Sequence, residues 1–257
     1  MYLRLRPRVT PVRHGDGGKV EAVTQKPPRR RGRPTRTVLD PARIVATARE
    51  LLETVGEGFT MTMLARRLGV APSSLYNHVG SKDEVLARIS DDVARGIDCS
   101  GLADLADSAP ALLSPAQRAA AWRRAAEEWA RSYVRAFAAQ PAVIATLALT
   151  PVAEAPQTLQ MYETVGRGFL AAGWPERLAL RVVETLEAFL LGSALDAAAP
   201  QDIFDPGALG ERFPTMARLQ GTVAQTGGGA EAAAEAFEIG LDGILTGLEQ
   251  HLAALLD

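Results

Sequence analysis

From residue 40 onward apolar residues recur at three- and four-residue intervals, and no stretch keeps the two-residue alternation of a strand. Ile44, Val45, Ala48, Leu51, Leu52 and Val55 form a one-sided stripe. Asp40-Pro41 opens it, Asp as cap and Pro at the first helical position, and Gly56 and Gly58 close it. Thr60 caps a shorter helix with Leu64, Ala65 and Leu68 inward; Gly69 ends it and Val70 plugs the core at the turn. A helix of barely two turns follows, with Leu75 and Val79 inward and Ser73, Ser74, Asn77 and His78 polar. Ser81-Lys82-Asp83-Glu84 reads as a capping box opening a fourth helix that carries Val85, Leu86, Ile89 and Val93.

Cys99 to Leu113, rich in Ala, Asp, Gly and Ser, reads as a loose connection. Ser114-Pro115-Ala116-Gln117 is a second capping box. The long helix behind it places Trp122, Ala126, Trp129, Tyr133 and Phe137 on one face and arginines and glutamates on the other. Pro141 to Leu149 is a short apolar helix, and Pro156 starts another that ends at Gly173. Trp174-Pro175 opens a helix to about Ala199, apolar nearly all round from Leu186 to Leu195, which requires cover on both sides. Residues 200–230 are punctuated by Pro and Gly and read as a mobile loop. A last helix from about Glu231 presents Phe237, Leu241, Ile244, Leu245, Leu248 and Leu252. The expected fold is all-α.

Short helix, glycine turn and polar-faced second helix make a helix-turn-helix, whose second helix enters the DNA major groove. The residues that carry it, Leu68-Gly69-Val70, Leu75-Tyr76-Asn77-His78-Val79, Lys82 and Val85-Leu86, resemble the tetracycline-repressor (TetR) family of bacterial transcription regulators. Residues 1–36, without an apolar period and dense in Arg, Pro and Gly, read as a basic, disordered arm; the resemblance implies a DNA-binding domain over 37–97 and an all-helical effector-binding and dimerisation domain over 98–257. It implies that Tyr76 and Lys82 touch the DNA backbone and that Ser73, Ser74, Asn77 and His78 face the groove. Thr62 matches another frequent contact position, and Thr60 stands beside it. Asn can bond an adenine edge bidentately, and the Tyr hydroxyl suits a phosphate. The bland alternative for any one of these residues is a solvated helix position.

The net charge of −2 hides a split. Residues 1–36 hold 11 Lys and Arg against Asp16 and Glu21, a net +9, while the rest carries 17 basic and 28 acidic residues, a net −11. The basic charge therefore lies beside the helix-turn-helix, where it can serve DNA. Within it, Arg29-Arg30-Arg31-Gly32-Arg33-Pro34 looks like an AT-hook core that would lay Arg31 and Arg33 in a minor groove. A generic arm touching phosphates and a true start further downstream are the other readings.

The three Trp, two Tyr and several Phe beyond residue 114 are material for an apolar effector pocket. The candidates are Trp122, Trp129, Tyr133, Phe137, Met161, Tyr162, Phe169 and Phe189. Their spacing fits plain core equally; the resemblance favours a pocket for an apolar or aromatic small molecule. Tetracycline itself is not expected, since that pocket uses histidine to hold the drug's metal and only His251 lies in this region. Glu184, Glu187 and Asp196 sit in or beside the apolar helix, where a carboxylate could meet a cationic ligand or pair with arginine; Arg181 is one turn from Glu184. Helices 176–199 and 231–256 would form the homodimer as a four-helix bundle.

An enzyme is not expected. The three histidines are scattered, no phosphate-cradling loop follows a strand, and Gly227-Gly228-Gly229 lacks the Lys-Ser/Thr of a P-loop. Neither a metal nor another cofactor is implied. The single cysteine, Cys99, excludes an internal disulfide and is either inert or a sensor thiol. No run approaches a membrane span, and the arginine-rich start has no apolar segment behind it, so a cytoplasmic location is expected.

Overall fold

The computed structural model describes residues 39–108, 112–148, 150–200, 202–226 and 229–257; the segment containing Arg31 and Arg33 lies outside them. Among the described residues eleven α-helices and no strand are found. Four make the helix-turn-helix region: α1 (Pro41–Val55), α2 (Met61–Leu68), α3 (Pro72–Tyr76) and α4 (Lys82–Ala94). Seven follow: α5 (Ser100–Asp107), α6 (Pro115–Ala138), α7 (Pro141–Ala148), α8 (Pro156–Ala172), α9 (Glu176–Asp196), α10 (Pro214–Thr226) and α11 (Ala230–Leu256). One continuous apolar core runs from α1 to α11 within a unit spanning Leu39–Asp257.

The caps stand where the sequence places them. Asp40 accepts from the Ala42 amide, Thr60 from Met63, Ser81 from Glu84, and Ser114 closes a full capping box with Gln117. Gly69 takes the left-handed conformation, φ 72°, and its N–H returns to α2, so the turn into α3 suits a residue without Cβ. The box at Ser81 closes one residue further out than expected. The Glu84 carboxylate passes the Ser81 amide and accepts from the Gly80 N–H at 2.6 Å.

Two stretches differ from expectation. The loose connection after Cys99 contains α5, which buries Leu102 and Leu105 between α6 and α8. Its small residues, which read as loop, are what let it fit. A Cβ on Gly168 of α8 would lie 2.7 Å from the Leu102 carbonyl oxygen, and one on Gly101 would lie 2.8 Å from Glu128 Oε2. The loop expected over 200–230 contains α10, in which none of the described side chains is buried, its apolar Met216, Leu219 and Val223 facing outward. Without burial the period carries no inward stripe to read.

The polar side of α6 is not solvated throughout. Arg131 grips Glu238 of α11 with two bonds, 3.0 and 2.8 Å, and Arg123 reaches Asp242, Thr246 and Glu249. The charges thus align α6 with α11 beside the apolar core.

Candidate DNA-reading face and candidate effector cavity

α3 is held from behind by two buried side chains, Leu75 and Val79, which leaves its other positions outward. Thr62, Ser73, Ser74, Asn77 and His78 are exposed, and Tyr76 is 51% exposed although large and aromatic. These exposed side chains carry hydroxyl, amide and imidazole groups, the inventory that meets base edges and phosphates. Thr60 is engaged locally, its hydroxyl oxygen accepting from the Met63 amide at 3.2 Å. The Lys82 ammonium lies 4.7 Å from the centre of the Phe59 ring, which fixes its stem at the start of α4. α3 is shorter than the two turns expected; Asn77 and His78 lie in the turn after it.

Two residues outside the expected set secure this face. Arg88 Nη2 donates to the His78 carbonyl at 2.7 Å and to Glu84 Oε1 at 2.7 Å. Glu84 in turn takes the Gly80 amide, and that bond, ahead of its contact with Arg88, holds its carboxyl below the usual range. The end of the reading element is therefore tied to α4 by a charged clasp. The i,i+4 spacing of Glu84 and Arg88 is visible in the sequence; their hold on the preceding turn is not.

Further along α4, the same helix forms a wall of a cavity of about 120 Å³. Ser90, Ala94 and Ile97 close it on that side, Tyr133 and Phe137 of α6 and Leu147 of α7 on another. Thr158, Met161 and Tyr162 of α8 and Glu187 and Leu191 of α9 complete it. Tyr133 and Phe137 stack, with centroids 4.7 Å apart. The Tyr162 hydroxyl donates to Glu187 Oε1 at 2.7 Å, and Tyr133 is the second phenol hydrogen-bonded to that carboxylate. Burial pushes the Glu187 carboxyl upward against the pull of both hydroxyls, and burial also raises both phenols.

Four of the eight expected pocket residues line this space: Tyr133, Phe137, Met161 and Tyr162. The other four do not. Trp122, Trp129 and Phe169 are wholly buried and pack edge-to-face on one another and on Trp174, so they are core. Phe189 points away from the cavity, stacks on Phe237 of α11 and lies where a Cβ on Gly240 would come within 2.6 Å of its ring. Of the three carboxylates near the apolar stretch, only Glu187 enters; Glu184 pairs with Arg181 at 2.7 Å and Asp196 is at the surface.

Two other spaces are open grooves. One of about 600 Å³ between α1 and α4 is lined by Arg49, Arg88, Asp91, Asp92 and Arg95, a mixed-charge wall that favours water over an organic ligand. The other, about 220 Å³ between α8 and α9, is apolar and shares Tyr162 with the α4–α9 cavity. Tyr162 thus lines both spaces.

Asp91 joins α4 to the cavity's far wall. Its Oδ1 accepts from the amides of Gln157 and Thr158, at 2.9 and 3.0 Å, and from the Thr158 hydroxyl. Cys99, just past α4, is half-buried, and burial first, then the neighbouring Asp98 charge, pushes its thiol up to about 11. Among the described residues no group of three or more His, Cys, Asp or Glu could hold a metal, and no helix is long and apolar enough to cross a membrane.

Residues 44–89 match the family model for bacterial regulatory proteins of the tetR family, and residues 114–252 match the tetracyclin repressor-like C-terminal domain. A possible TetR-family regulator from Streptomyces coelicolor A3(2) shares the fold: TM-score 0.60, 23% identity, covering 82% of this chain and 99% of that one. The Streptomyces coelicolor TetR-family protein ActR, in complex with (S)-DNPA, gives 0.58 at 25% identity, covering 85% and 99%. SCO7222, a TetR regulator from the same organism, gives 0.51 at 26%, covering 85% and 100%. No curated protein matches the chain.

Proposed function

Since this chain belongs to the tetR family of bacterial regulatory proteins, we propose that it is a homodimeric repressor released from a palindromic operator by a small effector in the α4–α9 cavity. The observation that carries this is the double attachment of α4. One end grips the turn after α3 through Glu84 and Arg88, while Ser90 and Ala94 near the other end line the cavity. Ligand sites usually measure about 300–1,000 Å³, and this one is about 120 Å³. An effector of ordinary size therefore enters only by displacing a wall, and α4 is the wall coupled to the reading element. Two recognition helices must sit about one DNA turn apart, roughly 34–36 Å, so a shift of α4 mismatches the half-sites. By linkage, operator DNA weakens effector binding by the same factor.

The small organic ligand held by ActR supports a ligand role for this type of domain. Dimerisation through α9 and α11 accounts for apolar side chains left outward there, among them Leu195 and Ile239, the latter 69% exposed. The function is binding, with no catalytic step, in the compartment that holds the DNA. Residues 39–97 supply the reading domain and the helices after them the effector and dimer surfaces.

The test is incubation of the purified protein with fragments of its source genome, alignment of the recovered sequences and titration against salt. A shared palindrome is expected. Weak binding indifferent to sequence overturns the assignment of α3 as a reader. Ile239→Glu should yield a monomer by mass; an unchanged dimer removes α11 from the interface.

A further inference from the structure

Glu187 is the one charged group among the described residues lining the cavity, and no Lys, Arg or His lines it. Its described partners are two phenol hydroxyls, Tyr162 and Tyr133. Glu187 is half-buried, and a carboxylate partly withdrawn from water without a cation is costly, since hydrogen bonds from neutral donors replace only part of its hydration. On α9, Arg181 is used elsewhere, holding Glu184 on the outer face. Around this single charge stand aromatic rings, Tyr133, Phe137 and Tyr162, and aliphatic groups, Met161 and Leu191. Aromatic faces beside a half-buried carboxylate attract an organic ammonium through the ring quadrupole as well as the charge, and they repel an anion.

Resting on the reading of this cavity as the effector site, we propose that its effector class is a small cationic amphiphile, an ammonium carried on an apolar or aromatic body, with Glu187 as its counter-charge. The ammonium sits at the α8–α9 side, within reach of Glu187 and the phenol oxygens. The apolar body extends toward Phe137 and Leu147 and presses on Ala94 and Ile97. The route in is the apolar vestibule between α8 and α9, with Tyr162 as the side chain that must swing aside. That motion releases the Tyr162–Glu187 hydrogen bond at the moment the ligand's N–H groups can replace it.

The probes are three molecules of matched shape, 2-phenylethylammonium, 2-phenylethanol and phenylacetate, titrated calorimetrically into the full-length chain. The expected result is binding of the cation roughly tenfold tighter than the alcohol, with the anion weakest. Glu187→Gln should abolish that preference while leaving the alcohol's affinity unchanged, and Glu187→Asp, which keeps the charge, should restore most of it. Equal or tighter binding of the alcohol, or a cation preference that survives Glu187→Gln, overturns the cationic class while leaving the cavity as the effector site. Binding of none of the three, or binding that a cavity-filling Leu191→Trp does not disturb, overturns the site and the class together. Both Glu187 variants are compared at matched thermal stability, so a folding defect is visible as such.

Discussion

Asp91 caps a helix that is not its own: its Oδ1 accepts the Thr158 amide at 3.0 Å and the Thr158 hydroxyl at 3.2 Å. α8 begins after Ala155, whose side chain cannot accept, so its first amides have no local partner. α4 supplies the acceptor instead, with the negative charge that favours a helix N-terminus. The position of α4 is thereby set from two sides, by the turn after α3 and by the start of α8.

Asp91→Ala should lower stability by about 1–3 kcal/mol, because two amides and a hydroxyl in a buried setting lose their acceptor. Asp91→Asn keeps one carbonyl oxygen there and should lose less. Urea unfolding of both variants measures this; equal midpoints for Asp91→Ala and the parent chain would remove Asp91 as the cap.

Arg88→Ala frees the His78 carbonyl and leaves Glu84 with the Gly80 amide alone. Operator affinity should fall roughly tenfold, the order of one charge-assisted hydrogen bond, and evenly across operator variants, while cavity binding is unchanged. Asn77→Ala should instead cost about 1–3 kcal/mol and relax preference at one base pair. Affinities for a set of single-base operator variants separate a positioning residue from a reading one. A base-specific loss for Arg88→Ala would contradict the clasp.

Gly168→Ala forces a Cβ to within 2.7 Å of the Leu102 carbonyl oxygen, so α5 must move; the expected cost is about 1–3 kcal/mol. Gly166→Ala, two residues earlier in the same helix, meets nothing within 4 Å and should stabilise by up to about 1 kcal/mol through helix propensity. Thermal melts of the pair check the contrast, and matching shifts would show that α5 does not press on α8.

The pH dependence has two opposed parts. Burial raises the Glu187 carboxyl above its ordinary 4.5, so the folded chain keeps that proton longer than the unfolded one. The stability linked to it is full below 4.5 and falls as pH rises through the folded value. Glu187→Gln should therefore gain on the parent chain as pH climbs through that window. Glu84 runs the other way: the Gly80 amide first, and Arg88 after it, depress its carboxyl. Its contribution is present above the ordinary 4.5 and is lost as pH falls through the folded value, so Glu84→Gln should differ from the parent at neutral pH and converge with it in acid. Unfolding curves at several pH values measure both; parallel curves would contradict the assignment.

The helix-turn-helix was legible because its signals are local. Asp40, Thr60, Ser81 and Ser114 each cap within three residues, and Gly69 needs only its own backbone. α5 was not legible, since Leu102 and Gly101 gain their meaning from Gly168 and Ala125 on other helices. α10 was hidden for the opposite reason: with no inward face in this chain, its Met216, Leu219 and Val223 mark no stripe. The pocket was half legible. Trp129 and Tyr133 lie on one stripe of α6, and only the docking of α8 and α9 decides that one is core and the other wall. Glu187 was visible as a carboxylate in apolar company; the convergence of Tyr133 and Tyr162 on it depends on tertiary packing.

On the proposed mechanism, the small size of the cavity sets a clock as well as an affinity. A ligand that must wait for Tyr162 to swing and α4 to yield associates at the rate of that opening, well below the encounter limit. With both ends of α4 pinned on the operator, the opening is rarer still. The DNA-bound dimer would then be the slow form to sense a signal, and molecules momentarily off the operator would be the fast ones. Derepression would follow the lifetime of the protein–DNA complex more closely than the arrival of the ligand.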